Sequence, residues 1–515
     1  MRGLGLSLTA IVLLHLYWIS VQLGYIVGTR APADAEYWIM GTYFPFGVAL
    51  FHASNSRFLH VAKRQERFAT EKRPGLKPQA GSGPINKFKR LDYTSKMIVL
   101  VGGGMVLQLF LTIFMYLISR KFHPSFGIPG TQVNGTAMER IAATGRGWEW
   151  WPTCFWQLLW AWVIAPVILW KSRTIQDTHG WRFQTIACTV ANLHAAPMWL
   201  IALYVPAMAP VNKYFIPPQW IALSIVFTEI FTIFVPCWEI ARSQSLQKQT
   251  LDSIAQWESK SRDQVGKDGK SLISSGDGTI VDSILTGKKS AAGSVISNSN
   301  ESILTMSALE YVLERNPAPL QQFSALRDFS GENIAFLTSV HEWKNSFPNS
   351  IRNSQHPSRD TNMRELVRER FNRALRIYAQ FVSNRDAEFP INISSAQQKK
   401  LAAVFEGPTR LLYGDKRIPD SATPFGAHWE KLTSTDSASS SSSETVCAED
   451  RVQFWGEVPD DFNENIFDDA EKSIKYLVLT NTWPKFVRDR RASIDCDDDV
   501  ETGNAIRLAR ERHNK

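Results

Sequence analysis

The stretch from Met306 to Trp343 reads MSALEYVLERNPAPLQQFSALRDFSGENIAFLTSVHEW, and its run Ser330–Leu337 predicts the start of a helix. Ser330 is a residue type that caps free N–H groups, and Glu332 follows in the first turn, where a negative charge suits the helix dipole. Apolar residues then recur at three-residue steps, at Ile334, Leu337, Val340 and Trp343. Glu332 and Asn333 are therefore expected at an exposed helix end, although an ordinary bundle helix begins in the same way.

Charge and hydropathy divide the 515 residues into two different halves. Up to about Ala241 the chain is rich in large apolar residues, and after it charged residues and serine dominate. The net charge is +8, but the basic residues flank apolar spans, which favours a membrane surface over nucleic acid as the partner. The five cysteines lie singly along the sequence, so neither a metal site nor a disulfide framework is indicated, and no cofactor is expected.

Apolar stretches that approach the roughly 20 residues of a membrane span predict about six transmembrane helices in the N-terminal half. They are Leu4–Val27, Tyr37–Leu59, Met97–Ile118, Trp151–Trp170, Phe183–Val205 and Trp220–Trp238. The second is interrupted by Pro45 and His52. A signal peptide is the alternative for the first, but its apolar region is long, which favours a retained helix.

Basic loops set the predicted orientation. The loops Arg57–Lys96 and Lys171–Arg182 carry most of the positive charge of the N-terminal half and are assigned to the cytoplasm. The loop Arg120–Glu149 then lies outside, where Asn134 begins an N-glycosylation triplet. The C-terminal half is consequently expected in the cytosol. A seven-helix receptor region without its first helix would show the same loop pattern.

Two ionisable side chains within the predicted spans, His194 and Glu229, are candidates for a ligand pocket that opens to an extracellular ligand. An ionisable group in a bilayer is costly unless it is paired, so Glu229 is expected either to serve such a pocket or to pair with His194. A hydrogen bond that only joins two helices is the structural alternative.

Composition sets the predicted domain boundaries. Residues 1–241 form the transmembrane bundle, and residues 242–302, rich in Ser, Gly and Lys, form a disordered linker. Residues 303–490 return to helical periodicity, interrupted by a disordered insertion at about 406–459, and residues 491–515 form a charged tail. The predicted fold class is all-α, with a polytopic membrane bundle followed by a cytosolic helical bundle.

The C-terminal helices carry ordered landmarks that resemble the RGS domain, the regulator of G-protein signalling. The landmarks are Leu313-Glu314, Phe323, Ser330–Leu337, Arg376-Ile377-Tyr378, Phe381, Ile391-Asn392-Ile393, Phe467–Glu471 and Leu477–Phe486. The complete chain, a multi-span half followed by this domain, resembles the receptor-RGS hybrids of fungi and plants. That second resemblance is one of topology.

The resemblance implies an all-helical bundle that binds the switch regions of a heterotrimeric G-protein α subunit (Gα) in its GTP or transition state. Such a protein is a GTPase activator and not itself an enzyme, because Gα supplies the arginine, Mg²⁺ and glutamine of the reaction. The implied Gα contacts are Ser330, Glu332, Asn333, Asn392, Leu477, Asn481, Thr482 and Lys485. Asn481 and Lys485 stand where the family usually has Asp and Arg, which predicts weaker binding.

The expected function is therefore that of a membrane-anchored GTPase-activating protein that attenuates G-protein signalling, with its RGS domain in the cytosol. The plasma membrane is the expected location, and an endomembrane is the alternative. The alternative function is that of an RGS-fold module that binds Gα or acts as a scaffold without accelerating GTP hydrolysis. In that alternative the module is attached to a receptor-like or transporter-like membrane half. Ser493, in the sequence Arg490-Arg491-Ala492-Ser493, is a candidate phosphorylation site whose negative charge would lie beside Lys485.

Overall fold

The computed structural model of the protein describes residues 4–28, 34–70, 93–123, 125–265, 303–346, 361–413 and 453–493. These residues form helices joined by turns, with no strand among them. The chain divides into two compact units. Unit 1 includes Met1–Lys63 and Pro78–Glu239, and unit 2 includes Arg64–Lys77, Ile240–Asp420 and Thr435–Lys515. The observed class is thus all-helical, as predicted.

The helices that begin in unit 1 are α1 (Leu4–Val27), α2 (Ala35–Gln65), α3 (Tyr93–Ile118), α4 (Ala137–Thr144), α5 (Trp151–Leu158), α6 (Ala165–Ser172), α7 (Trp181–Leu193), α8 (Ala195–Tyr204), α9 (Ala209–Asn212) and α10 (Pro218–Val265). A π-helical turn, Leu159–Ile164, joins α5 to α6. Five segments in the described residues are long and apolar enough to cross a membrane: Gly5–Val27, Lys96–Ile118, Trp148–Ser172, Trp181–Tyr204 and Pro218–Asp252. These five segments are compatible with a membrane protein.

The second of the six predicted spans does not meet the criterion of length and apolar composition for a membrane span. Helix α2 covers it, but α2 is not among the five segments that are apolar enough to cross a membrane. The middle of α2 carries His52, Ser54 and Asn55, and these polar side chains are buried rather than exposed. The prediction of six membrane-spanning helices is therefore reduced to five among the described residues.

Two glycines allow helices of unit 1 to approach each other closely. A Cβ added at Gly41 would lie 2.5 Å from Thr112 Cγ2, and one added at Gly104 would lie 2.5 Å from Trp156 Cη2. Both distances are shorter than real Cβ contacts, so a larger residue at either glycine would force the neighbouring side chain to move where α2 and α5 approach α3. Small residues at helix contacts are typical of membrane bundles, in which close packing replaces the hydrophobic effect between helices.

The predicted linker and insertion differ from the structure at their ends. Helix α10 continues through Val265, beyond Arg242 where the linker was predicted to begin, because Gln, Leu, Glu and Lys in this stretch favour helix. Helix α15 (Ser395–Tyr413) likewise extends into the predicted insertion. Phe454, near the C-terminal end of that insertion, is buried. The rest of both segments and the tail from residue 494 lie outside the described residues.

Unit 2 contains a helical bundle with one large core. Its other helices are α11 (Met306–Arg315), α12 (Ala318–Phe323), α13 (Gly331–Asn345), α14 (Thr361–Ile377), α16 (Asp468–Leu477) and α17 (483–493). Three π-helical turns extend helices in this unit: Ser324–Asp328, Tyr378–Val382 and Val478–Thr482. The predicted stripe of α13 is confirmed, since its four apolar residues are at most 3% exposed. Phe467 is fully buried in the same core.

Candidate functional site

A buried carboxylate, Asp328, joins three of the residues predicted to contact Gα. Its Oδ1 accepts a hydrogen bond from Lys485 Nζ at 2.7 Å. Its Oδ2 accepts hydrogen bonds from Thr482 Oγ1 at 2.8 Å and from Ser330 Oγ at 2.9 Å. The side chains of Asp328 and Lys485 are 1% and 8% exposed, so this ion pair is largely shielded from water. We refer to Asp328, Ser330, Thr482 and Lys485 as the Asp328 cluster.

The Asp328 cluster was only partly visible in the sequence. Asp328 lies two residues before Ser330, but the sequence does not single it out, because nothing local shows that a lysine 157 positions later faces it. The signal that was available is chemical. A buried lysine requires a carboxylate partner, and Asp328 is the acidic residue nearest the predicted contact helix on its N-terminal side.

A tight backbone reversal positions the cluster. The π-helical turn Ser324–Asp328 ends at Phe329, whose φ of 51° places it in the left-handed region. Such a conformation is uncommon for a bulky residue, and here the buried Phe329 ring offsets its cost. The amide of Ser330 then donates to Ser324 O at 2.9 Å, which closes the reversal. The chain consequently enters α13 with Ser330 turned toward Asp328.

The prediction that Ser330 caps helix α13 is wrong. Ser330 occupies the position before the helix, but its hydroxyl makes no capping hydrogen bond. The hydroxyl instead binds Asp328 and lies 3.0 Å from Ser324 Oγ. The amide of Gly331 donates to Gln65 Oε1 at 3.2 Å, so a side chain from an early part of the sequence takes over one of the capping interactions.

The start of α13 is also less exposed than predicted. Asn333 is 6% exposed, and its Oδ1 is buried and accepts no hydrogen bond in the part of the chain that the structure describes. Glu332 is partly buried, and its Oε2 accepts a hydrogen bond from Gln65 Nε2 at 2.9 Å. Gln65 thus contacts both the backbone and the acidic side chain of this helix end.

We expect the buried state of Glu332, in which Gln65 covers it, to become less stable as pH rises. Burial raises the pKa of Glu332 from its ordinary 4.5 to about 7, with a further increase from Asp328, while the Gln65 hydrogen bond and Arg67 oppose the change. A carboxyl group whose pKa is raised by burial contributes its full stabilisation of the buried state when the pH is below its ordinary pKa. That contribution is lost as pH rises through about 7. The equilibrium constant for exposing Glu332 then increases by up to about tenfold for each unit by which burial raises the pKa.

Hydrogen exchange of the amides near Gln65 measures this, when each rate is divided by the intrinsic rate at the same pH. Between about pH 5 and pH 8 the protection should fall in the wild type and stay constant in Glu332→Gln, whose side chain does not titrate. Equal pH dependence in both proteins would contradict the prediction.

The turn that carries Asn392 is anchored on both sides while the Asn392 side chain remains exposed. Ile391 N donates to Phe381 O at 2.8 Å. Ser394 and Gln397 form a reciprocal cap at the start of α15, with hydrogen bonds of 3.0 and 3.2 Å. Gln397 Nε2 also donates to Ser473 Oγ in α16 at 2.8 Å. These hydrogen bonds fix the turn before α15 relative to α16.

The structure brings only some of the predicted Gα-contact residues together. Ser330, Thr482 and Lys485 meet in the Asp328 cluster, and Lys485 therefore serves an internal ion pair instead of an open contact surface. Leu477 and Asn481 are partly exposed, on consecutive turns that lead to the cluster. Within the described residues, no hydrogen bond joins the Asn392 side chain to any of them.

The predicted membrane pair is not formed as expected. Glu229 Oε1 lies 3.1 Å from His15 Nδ1, so the histidine beside it is His15 and not His194. His194 Nε2 is buried and has no hydrogen-bond partner among the described side chains and backbone. The reason is topological, since α1 and not the α7–α8 junction supplies the neighbour of Glu229 in α10.

The remaining candidate residues lie at the surface. Asn134 is exposed in an irregular segment before α4. Ser493 is exposed at the end of α17 and donates to Asp489 O at 3.0 Å. Because Lys485 is already paired with Asp328, a phosphate on Ser493 would not find a free lysine there. Among the described residues, no group of three or more His, Cys, Asp or Glu side chains could hold a metal ion.

Comparisons with known proteins do not identify a family for this chain. A scan of protein-family models, a search of curated proteins and a search of solved structures each found no match to this chain.

Proposed function

We propose that unit 2 binds the switch regions of a Gα subunit in its transition state and accelerates GTP hydrolysis, and that the apolar helices of residues 1–241 anchor it to a membrane. In this proposal unit 2 lies in the cytosol, at the plasma membrane. The observation that carries the proposal is the Asp328 cluster. It joins two segments more than 150 positions apart, both of which the resemblance assigns to one Gα-contact surface.

The chemistry of these residues suits this task. Gα supplies the catalytic arginine, glutamine and Mg²⁺, so an accelerator has only to hold the mobile switch segments in place. Neutral polar groups on a rigid bundle provide such support, because they form hydrogen bonds without introducing a competing charge. Asn333 has an unfilled acceptor at its Oδ1, and Asn392 projects from an anchored turn.

A Gα-binding module without accelerating activity is the second candidate. It is favoured by the burial of Lys485 and by the cover of Glu332, since both residues are engaged inside the protein. The two functions differ in whether Asn392 reaches the reacting centre of Gα.

Single-turnover GTP hydrolysis by a panel of purified Gα subunits, with and without the full-length protein in lipid nanodiscs, separates the candidates. We expect acceleration that Asn392→Ala lowers by about tenfold or more, because a hydrogen bond made in the transition state is lost. Asn345→Ala is the matched control, since Asn345 is exposed at the C-terminal end of α13, away from the predicted contact residues at its start.

The outcomes are distinct. Binding of Gα without acceleration supports the second candidate. Acceleration that is equal for the wild type and Asn392→Ala contradicts the role given to Asn392. No binding and no acceleration with any Gα subunit rejects the proposed function.

A further inference from the structure

The residues that follow the main part of helix α2 belong to unit 2 and lie on the candidate site. Arg64 and Gln65 end α2, and a 3₁₀ turn, Glu66–Phe68, follows and is closed by Ala69 N donating to Glu66 O at 3.0 Å. We refer to residues 64–69 as the covering segment. Its contacts fall on two of the regions assigned to Gα binding, the start of α13 and the turn before Asn392.

At the start of α13, Gln65 satisfies groups that an incoming protein would have to reach. Its side-chain oxygen accepts from the Gly331 amide, and its nitrogen donates to Glu332. The approach is close, because a Cβ added at Gly331 would lie 2.8 Å from Phe68 Cβ. Both an amide and an acidic side chain of the predicted contact surface are therefore already bound within the chain.

At the second region, the covering segment is held by charge and by aromatic packing. Arg64 and Arg67 each form an ion pair with Glu388, which lies four residues before Asn392 and whose side chain is 9% exposed. The Phe68 ring packs 6.2 Å from the ring of Phe389 and 6.5 Å from that of Phe381, measured between centroids. A buried carboxylate without these arginines would be costly, so the segment fits this surface specifically.

We propose that the covering segment is an intrachain inhibitor, which occupies the Gα-contact surface and must leave it before Gα can bind. The inference rests on the proposed function, and it adds the regulation of the same site. Two ligands that share one surface exclude each other. The apparent affinity for Gα is therefore proportional to the fraction of molecules in which the segment has left the surface.

The test compares full-length proteins in nanodiscs, each assayed for acceleration of GTP hydrolysis at a subsaturating concentration. Phe68→Ala removes the aromatic anchor, and Arg67→Ala removes one ion pair. Lys63→Ala is the matched control, because it removes one positive charge from an exposed neighbouring residue. We expect Phe68→Ala and Arg67→Ala to accelerate hydrolysis several-fold more than the wild type, up to about tenfold if the segment is bound in nine molecules of ten, and Lys63→Ala to equal the wild type.

Hydrogen exchange of the amides at residues 331–333 provides a readout that does not depend on Gα. It should increase in Phe68→Ala and Arg67→Ala and stay unchanged in Lys63→Ala. Faster exchange with unchanged acceleration would overturn the inhibitory role while leaving the proposed function in place, and unchanged exchange would overturn the contact itself. No acceleration by any of the four proteins would reject the proposed function, and the inhibitory role with it, even if exchange increases.

Discussion

Replacing Lys485 with methionine is expected to lower the free energy of unfolding of unit 2 by about 3–5 kcal/mol, because it leaves the buried Asp328 carboxylate without its countercharge. Asp328 is 1% exposed, so water cannot take the place of the ammonium group. The hydroxyls of Thr482 and Ser330 remain as donors, but neither carries a charge. Methionine resembles lysine in length, so the loss reports mainly on the charge.

Lys475→Met is the matched control for this prediction. Lys475 forms ion pairs with Glu310 and Glu471, but its side chain is 25% exposed and Glu310 is 44% exposed. Exposed pairs of this kind contribute about 1 kcal/mol or less. Denaturant unfolding of the full-length protein, followed by hydrogen exchange of α13 and α17, measures both variants. Equal losses would mean that the Asp328–Lys485 pair is not shielded as the structure indicates.

Trp483→Ala is expected to have a comparable effect, about 3–5 kcal/mol, through loss of packing. Trp483 is fully buried, and its ring lies 5.7 Å from the ring of Phe486 between centroids. Its Nε1 also donates to Ile303 O at 2.9 Å, which ties the end of the bundle to its first residues. Alanine would leave a large cavity and an unsatisfied buried carbonyl oxygen.

Trp455→Ala is the control for Trp483→Ala, because Trp455 is 70% exposed and the same atoms are removed. Its loss should cost less than about 1 kcal/mol, since little packing disappears. The same unfolding measurement applies to both variants. A small loss for Trp483→Ala would contradict the central position of this residue in the core.

The core of unit 2 could be predicted to a large extent, whereas its site could be predicted only in part. The stripe of α13 follows from apolar residues at three-residue steps, and all of them are buried. The cap by Ser330 was wrong for a reason that no local pattern contains. The serine hydroxyl prefers a buried carboxylate, and a glutamine from the end of α2 takes over the amide of Gly331.

The predictions in the N-terminal half divide in the same way. Helix α1 has the predicted limits, Leu4–Val27, because this stretch is mostly apolar and contains no Asp, Glu, Lys or Arg. The partner of Glu229 could not be predicted, since several polar groups were available and the packing of the helices selected His15. The extension of α10 to Val265 shows that a polar composition does not by itself end a helix.

The sequence by itself determined the helical class, five of the six predicted apolar spans and the residues of the α13 stripe, because each of these follows from periodicity and composition over one or two dozen neighbouring residues. Only the tertiary structure decided that Asp328 holds Lys485 and that Gln65 covers Glu332. These contacts join positions 157 and 267 residues apart. Burial, and not local sequence, selects such partners, because a shielded charge or amide must find whichever group the fold brings to it.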